Sequence, residues 1–221
     1  MKTGFDQVIM HETSQMKFWK GDFGDAYTRR NSGDFNAECM QQFGVTRDSL
    51  NEGYLGDLPR SLRILEVGCN RGKQLELLRG MGFSDLWGID INKKALEIAK
   101  KSPTFNIVEA SAFDIPYKDN FFDMVSTSDV LIHIHPDDLL KALSEIVRVT
   151  KRYILGFEYY SDTFEQRTYR GHEGKLWRGD YKSFYIKHFP FLRELKQKTL
   201  RDISNSNVDM IFLLEKAHHG K

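Results

Sequence analysis

A chain of 221 residues is long enough for one α/β core and short for two. With 40% hydrophobic residues, 29% charged residues and a formal net charge of +1, it has the composition of a globular protein and no strong field toward nucleic acid or a membrane surface. No apolar run approaches the ~20 residues of a membrane helix, and the opening MKTGFDQVIMHETSQ has no apolar signal core, so a cytoplasmic location is expected.

In chain order, Met1 to about Thr13 reads as a flexible start. SQMKFWKGDFGDAYTRRNS follows as helix interrupted at GDFG, with Met16, Trp19 and Phe23 on one face. Simple packing of a helix pair onto the rest of the fold accounts for most of these aromatics. Phe35 to Leu50 reads as a second helix, and GYLGDLPRS ends the helical region with glycines and a proline. The two cysteines, Cys39 and Cys69, form no metal-ligand pattern, and free thiols with no metal are expected.

The most informative stretch is EVGCNRG, Glu66 to Gly72. Ile64, Leu65 and Val67 suit a buried strand, and Leu75, Leu77 and Leu78 recur at helical spacing, so the hydrophobic period changes across the glycines. Strand, tight loop and helix in that order make a nucleotide-type loop, with Gly68 and Gly72 where the backbone turns to positive φ or approaches a ligand. A second apolar run, LWGIDI, ends at Asp90, the interval at which a carboxylate meets ribose hydroxyls in βαβ units. A dinucleotide fingerprint G-x-G-x-x-G fails, because Asn70 and Lys73 stand where its second and third glycines belong. Glu66 beside the loop would repel a pyrophosphate and favour a cationic ligand.

NKKALEIAKKS gives a helix capped by Asn92 and ended by Pro103. FNIVEAS is the third strand, FDMVSTSD the fourth and YILGFEYYSD, from Tyr153 to Asp162, the fifth. Between the last two, Leu139, Leu140, Leu143, Ile146 and Val147 repeat at helical spacing. The junction SDVLIHIH falls at the carboxyl ends of the strands, the ligand crevice of open parallel sheets, which makes Ser128, Asp129, His133 and His135 candidates by position. For His133, packing behind a ligand competes with a chemical role. Beyond the fifth strand comes a segment rich in aromatics and cations, and LRELKQKTLRDI and NVDMIFLLEK read as two closing strands.

At the acidic residue, the glycines and Asp90, over roughly Leu62 to Tyr160, the chain resembles the class I S-adenosylmethionine-dependent methyltransferases. The resemblance implies an α/β Rossmann-like fold with a seven-stranded, mostly parallel sheet, a C-terminal antiparallel hairpin and N-terminal helices. It implies one domain over 1–221, with an N-terminal helical cap at 1–61, a cofactor-binding core at 62–160, a substrate lid at 161–191 and closing strands at 192–221. The implied cofactor is S-adenosyl-L-methionine, held by Glu66, Gly68, Cys69, Asn70, Gly72, Asp90, Ile91, Ser111, Ala112, Phe113 and Ser128, with Tyr27 and Arg30 on its carboxylate from an N-terminal segment. Two positions depart from the pattern. Asn70 replaces a glycine, although asparagine tolerates positive φ, and Ser111 replaces an aspartate that faces the adenine amino group in many relatives.

WKGDFGDAYTRRN, LIHIHPDDL and EYYSD followed by YRGHEGKLWRGDY resemble more particularly a group of bacterial methyltransferases encoded with pseudaminic acid and related nonulosonic acid or surface-glycan biosynthesis enzymes. That likeness implies a small-molecule acceptor, a sugar or sugar nucleotide that can be anionic, with no nucleic-acid or membrane partner. SDVL in place of an N-P-P-Y-like tetrad also argues against methylation of nucleic-acid bases. Methyl transfer from a sulfonium requires alignment of donor and acceptor, plus a base when the acceptor is a hydroxyl. His133 is the first candidate base, with Glu158 and Tyr159 second. Arg170, His172 and Arg178 are expected to meet an anionic acceptor and Trp177 to stack on it, against the alternative of a solvated surface loop. The alternative functions are a non-catalytic cofactor-binding subunit of a glycan-assembly complex and a methyltransferase for another small metabolite.

Overall fold

The computed structural model describes residues 12–217. The expected flexible start therefore falls mostly outside the described residues, as do positions 218–221. Five strands, β1 (Arg63–Val67), β2 (Asp85–Asp90), β3 (Phe105–Glu109), β4 (Phe122–Ser128) and β5 (Thr150–Tyr159), run parallel. With β8 (Leu192–Arg201) and β9 (Val208–Lys216) they form one seven-stranded sheet of order β3-β2-β1-β4-β5-β9-β8, in which β9 is antiparallel to both its neighbours. The closing strands and the mostly parallel sheet are those the sequence predicts.

The sheet is covered on both faces, as a parallel sheet must be. Along β1 the side chains alternate: Ile64 joins Leu75, Leu78, Leu86 and Met124 on one face. Leu65 and Val67 join Leu139, Leu143 and Ile146 on the other. Those last three lie on α7 (Pro136–Val149), which buries Leu139, Leu143, Ile146 and Val147 of its apolar repeat and leaves Leu140 exposed, each buried side chain contributing about 1.5–3 kcal/mol. The remaining crossover helices are α5 (Lys73–Gly80) and α6 (Lys93–Ala99), the latter capped by Asn92 Oδ1 accepting from Ala95 N at 2.9 Å. The edge strand β8 is exposed from Arg193 to Thr199, where charged side chains keep it from pairing with another chain.

Four short helices precede the sheet. α1 (Ser14–Lys20) and α2 (Asp22–Arg30) break at Gly21, within the predicted interruption. The single helix expected over Phe35 to Leu50 is two, α3 (Phe35–Phe43) and α4 (Arg47–Leu55). Gly44 at φ +70° closes the first, and Thr46 caps the second by accepting from Ser49 N at 3.1 Å. β5 begins three residues earlier than the sequence suggests. After it the chain forms a separate antiparallel pair, β6 (Glu165–Tyr169) and β7 (His172–Arg178), joined by Arg170 and Gly171 at φ +49° and +82°. Two successive positive φ values make the tight turn that suits a hairpin. α8 (Tyr181–His188) then leads into β8.

Candidate functional site

Strand order reverses between β1 and β4, so their carboxyl ends part and leave a crevice. A cavity of about 220 Å³ opens there. Its floor is the loop after β1, where Gly68, Asn70 and Gly72 all take positive φ, at +73°, +44° and +80°. Gly68 is required twice over, because a Cβ there would lie 2.4 Å from Val130 Cγ2. Asn70 is held by both ends: its amide donates to Asp90 Oδ2 at 2.8 Å and its side chain to Thr28 Oγ1 at 3.0 Å. The other oxygen of Asp90 accepts from Asn92 N at 2.8 Å. Asp90 thus ties the tip of β2 to the loop after β1 while lining the cavity, and each oxygen keeps a lone pair for a ligand hydroxyl.

Two further carboxylates line the cavity, each with a buried oxygen that has no partner among the described residues: Glu66 Oε2 and Asp129 Oδ1. Burial pushes Glu66 up to about 8, partly opposed by Arg47, and moves Asp129 upward for the same reason. Arg47, on α4, is buried beneath them, where it donates to Gln74 Oε1 at 3.1 Å and Ser128 Oγ at 3.2 Å and lies over the Phe157 ring at 4.1 Å. It makes no ion pair with either carboxylate. Asp129 itself stands at φ +54°, its amide fixed to Phe157 O at 2.8 Å.

Beyond Asp129 the chain makes a 3₁₀ turn, Leu131–His133. Glu158 Oε2 accepts from Leu131 N at 3.1 Å and Ile132 N at 3.4 Å, so this buried carboxyl holds the turn from behind. The turn presents His133 to the cavity. Its Nδ1 lies 2.7 Å from the Lys175 carbonyl oxygen on β7, and its ring sits 4.4 Å from that of Trp19 and 5.1 Å from that of Tyr169. Burial pulls His133 down to about 4, so the ring is neutral at ordinary pH.

α1 and α2 line one side of the cavity and rest against the β6–β7 hairpin. Phe18 stacks on Phe23 at 4.0 Å, both rings contact His172, and Trp19 packs edge-on against Tyr27 at 5.2 Å. Asn92 Nδ2 fastens these helices to the β2 end through Trp19 O at 3.0 Å and Asp25 Oδ1 at 2.9 Å.

Of the residues expected to hold a cofactor, the cavity brings together Tyr27, Glu66, Gly68, Cys69, Asn70, Asp90, Ile91, Ser111, Ala112, Phe113 and Ser128. Gly72 lies one turn away and starts α5, and Arg30 is exposed with its guanidinium over Phe23. Among the expected catalytic residues His133 lines the cavity, whereas Glu158 and Tyr159 do not. The residues expected to hold an anion are dispersed. Arg178 is buried against Glu165 at 2.7 Å and Asn207 at 3.2 Å, Trp177 is buried beside His135, Arg170 is exposed at the hairpin turn, and His172 faces the Phe18 and Phe23 rings. None of the four lines the cavity. β7 buries Leu176, Trp177 and Arg178 in succession, whereas Arg170 and His172 stay exposed near the turn.

Sequence reasoning did not find Arg47, whose burial depends on contacts 27 and 81 residues away, and took Trp19 as packing alone. Among the described residues no group of three His, Cys, Asp or Glu side chains is placed to hold a metal ion. The donor set suits a cationic nucleoside: unpartnered carboxylate oxygens at Glu66 and Asp129, acceptors for hydroxyls at Asp90, and Ile91, Ala112 and Phe113 as apolar walls. A pyrophosphate would meet the same carboxylates with repulsion.

Residues 65–153 match the family described as "Methyltransferase domain". Over 99 residues the chain is 31% identical to the O-methyltransferase rstn1 of Aspergillus nomiae, covering 42% of this chain and 43% of that protein. It is 32% identical over 99 residues to the tRNA (carboxymethyluridine(34)-5-O)-methyltransferase of Arabidopsis thaliana, covering 44% of this chain and 24% of that one. The match therefore spans less than half the length of either relative. Among solved structures, the Burkholderia thailandensis 1,6-didemethyltoxoflavin-N1-methyltransferase with bound S-adenosylhomocysteine superposes with a TM-score of 0.66 at 12% identity, over 92% of this chain and 87% of that one. The cyclase SpnF superposes at 0.61 and 16% identity, over 77% and 79%. The protein has the fold of the class I S-adenosylmethionine-dependent methyltransferases.

Proposed function

We propose that this protein binds S-adenosylmethionine and transfers its methyl group to a small-molecule acceptor. The observation that carries this reading is the pair of buried, unpartnered carboxylate oxygens of Glu66 and Asp129 facing one cavity at the strand switch point. A carboxylate without a partner is costly in an apolar surrounding, and a cation entering the cavity removes that cost. When bound, S-adenosylmethionine supplies an electrophilic methyl carbon on a sulfonium. The chain's own residues do the rest. Asp90 orients the ribose hydroxyls, Glu66 meets the positively charged end, and Trp19 and Tyr27 close the mouth against water. His133, with Nδ1 donating to the Lys175 carbonyl, keeps Nε2 free to take a proton from the acceptor.

The likeness of WKGDFGDAYTRRN, LIHIHPDDL and YRGHEGKLWRGDY to methyltransferases encoded with nonulosonic acid enzymes supports an acceptor drawn from the sugars or sugar nucleotides of surface-glycan synthesis, in the cytoplasm. A second reading, a cofactor-binding subunit without transferase activity, follows from the use of this fold by a protein described as a cyclase. One experiment separates them. Incubation with labelled S-adenosylmethionine and a sugar-nucleotide extract should place label on one acceptor and release the demethylated cofactor, and binding without transfer favours the second reading. NAD should leave the melting temperature unchanged while S-adenosylmethionine raises it.

A further inference from the structure

The turn that carries His133 begins with two amides that its own sequence would ordinarily satisfy. Within Leu131–His133 the bonds run from His133 N to Val130 O and from Ile134 N to Leu131 O, each at 3.0 Å, which leaves Leu131 N and Ile132 N without a partner inside the turn. A short acidic side chain two or three residues ahead is the usual acceptor for such amides. Asp129 stands in that place and does not take them. It lines the cavity instead, and its Oδ1 is buried without a partner among the described residues.

Both amides go to Glu158 Oε2, at 3.1 Å and 3.4 Å, from a side chain on β5 that is only 1% exposed. The preceding residue, Phe157, accepts from Asp129 N at 2.8 Å, so the end of β5 holds the amides of Asp129, Leu131 and Ile132 together. The far end of the turn is fixed separately, through His133 Nδ1 and Lys175 O. Burial pushes Glu158 up to about 8, and the charge of Asp129 adds to that rise. Of the two carboxyls it is therefore Asp129 that ionises at neutral pH, while Glu158 caps the turn as an uncharged acid.

We infer that Glu158 is a positioning residue: by taking the two amides that Asp129 would otherwise cap, it keeps the Asp129 carboxylate turned into the cavity and open to a positively charged ligand group. The ligand rests on the function proposed above, and the exchange of caps does not. Without Glu158, the nearest acceptor in the chain for Leu131 N and Ile132 N is Asp129 itself, two and three residues back, within the reach of an Asx turn. Its carboxylate then leaves the cavity wall.

The test uses the full chain with Glu158→Leu, Glu158→Gln and Asp129→Ala, and with Glu158→Leu and Asp129→Ala combined. Thermal melts confirm that each is folded, and Glu158→Ala replaces Glu158→Leu if leucine does not fit. Amide hydrogen exchange reads the caps directly. Leu131 and Ile132 should stay protected in Glu158→Leu and in Asp129→Ala, each of which keeps one acceptor, and should exchange at least about tenfold faster in the double variant. Calorimetry with S-adenosylmethionine reads the cavity. Glu158→Leu and Asp129→Ala should each weaken binding about tenfold or more, and the double variant no further than either. Glu158→Gln, whose amide oxygen accepts the same two bonds, should retain most of the affinity. A residue of general structural importance would instead add its loss to that of Asp129. Protection lost in Glu158→Leu as fully as in the double variant, or losses of affinity that multiply, would overturn the inference. If the wild type did not bind S-adenosylmethionine, or Asp129→Ala bound it as tightly as the wild type, the reading of the cavity would fall while hydrogen exchange still decided the capping.

Discussion

His133 Nδ1 and the carbonyl oxygen of Lys175 are 2.7 Å apart, and because a carbonyl only accepts, the proton of the neutral imidazole must sit on Nδ1. The bond joins the turn after β4 to the β6–β7 hairpin. It leaves Nε2 as the basic atom, and no carboxylate is needed to fix the tautomer.

His133→Asn should lower turnover by about 10²–10⁴ while cofactor affinity stays nearly constant, as expected of a base that acts on the acceptor. With its folded pKa near 4, the ring is unprotonated from pH 5 upward, so the rate should show no acid limb near 6.5. Steady-state kinetics from pH 5 to 9 check both statements. A parallel loss of cofactor affinity would mark His133 as a packing residue.

Asp90→Ala removes the acceptor proposed for the ribose hydroxyls and two bonds from the Asn70 and Asn92 amides. Loss of a charged hydrogen bond costs about 1.5–3 kcal/mol, so S-adenosylmethionine affinity should fall roughly tenfold to a hundredfold. Amide hydrogen exchange should also speed up at Asn70. Unchanged affinity by calorimetry would take Asp90 out of the site.

Stability without ligand should fall as pH rises from 6.5 to 8. Burial holds Glu66 and Glu158 near 8 in the folded chain, above the ordinary 4.5, and raises Asp209 as well. In this range the folded state keeps protons that the unfolded state has released, so each rise in pH favours unfolding. The slope has a ceiling of about 1.4 kcal/mol per pH unit for each group. His133, depressed from 6.5 to about 4, acts oppositely, but only below 6.5. Melting temperatures in buffers matched for ionic strength should therefore decline above 6.5, and less steeply with S-adenosylmethionine present. A flat profile would mean that these carboxyls are not buried as described.

Arg178→Ala should act on stability and not on the acceptor. Its guanidinium is tied to Glu165 and Asn207 under the hairpin, and losing these bonds should lower unfolding free energy by about 1.5–3 kcal/mol in urea titration. A raised Michaelis constant for the acceptor with unchanged stability would return Arg178 to a binding role.

The sheet and the cavity wall made by the loop after β1 and the end of β2 were legible because they rest on local signals. The hydrophobic period switches across Gly68 and Gly72, and Asp90 ends an apolar run at a fixed interval from them. Even Asn70 at positive φ could be foreseen from its side chain. The β6–β7 hairpin depends on pairings that no local pattern encodes. Arg178 and Glu165 are partners only because β6 and β7 fold back on each other, and an alternation of aromatic and cationic residues reads the same in a hairpin as in a solvated loop. Arg47 shows the same limit: the first residue of a helix ordinarily faces solvent, and nothing nearby in sequence announces the Gln74 and Ser128 acceptors that draw it inward.

The β6–β7 hairpin lends no strand to the main sheet and leaves the β5–β9 register to be set by other residues. Its length and turn can therefore change between relatives without disturbing the cofactor loop. A replacement needs to preserve one backbone carbonyl opposite His133. Change can thus accumulate in a two-stranded graft while the loop after β1 stays fixed.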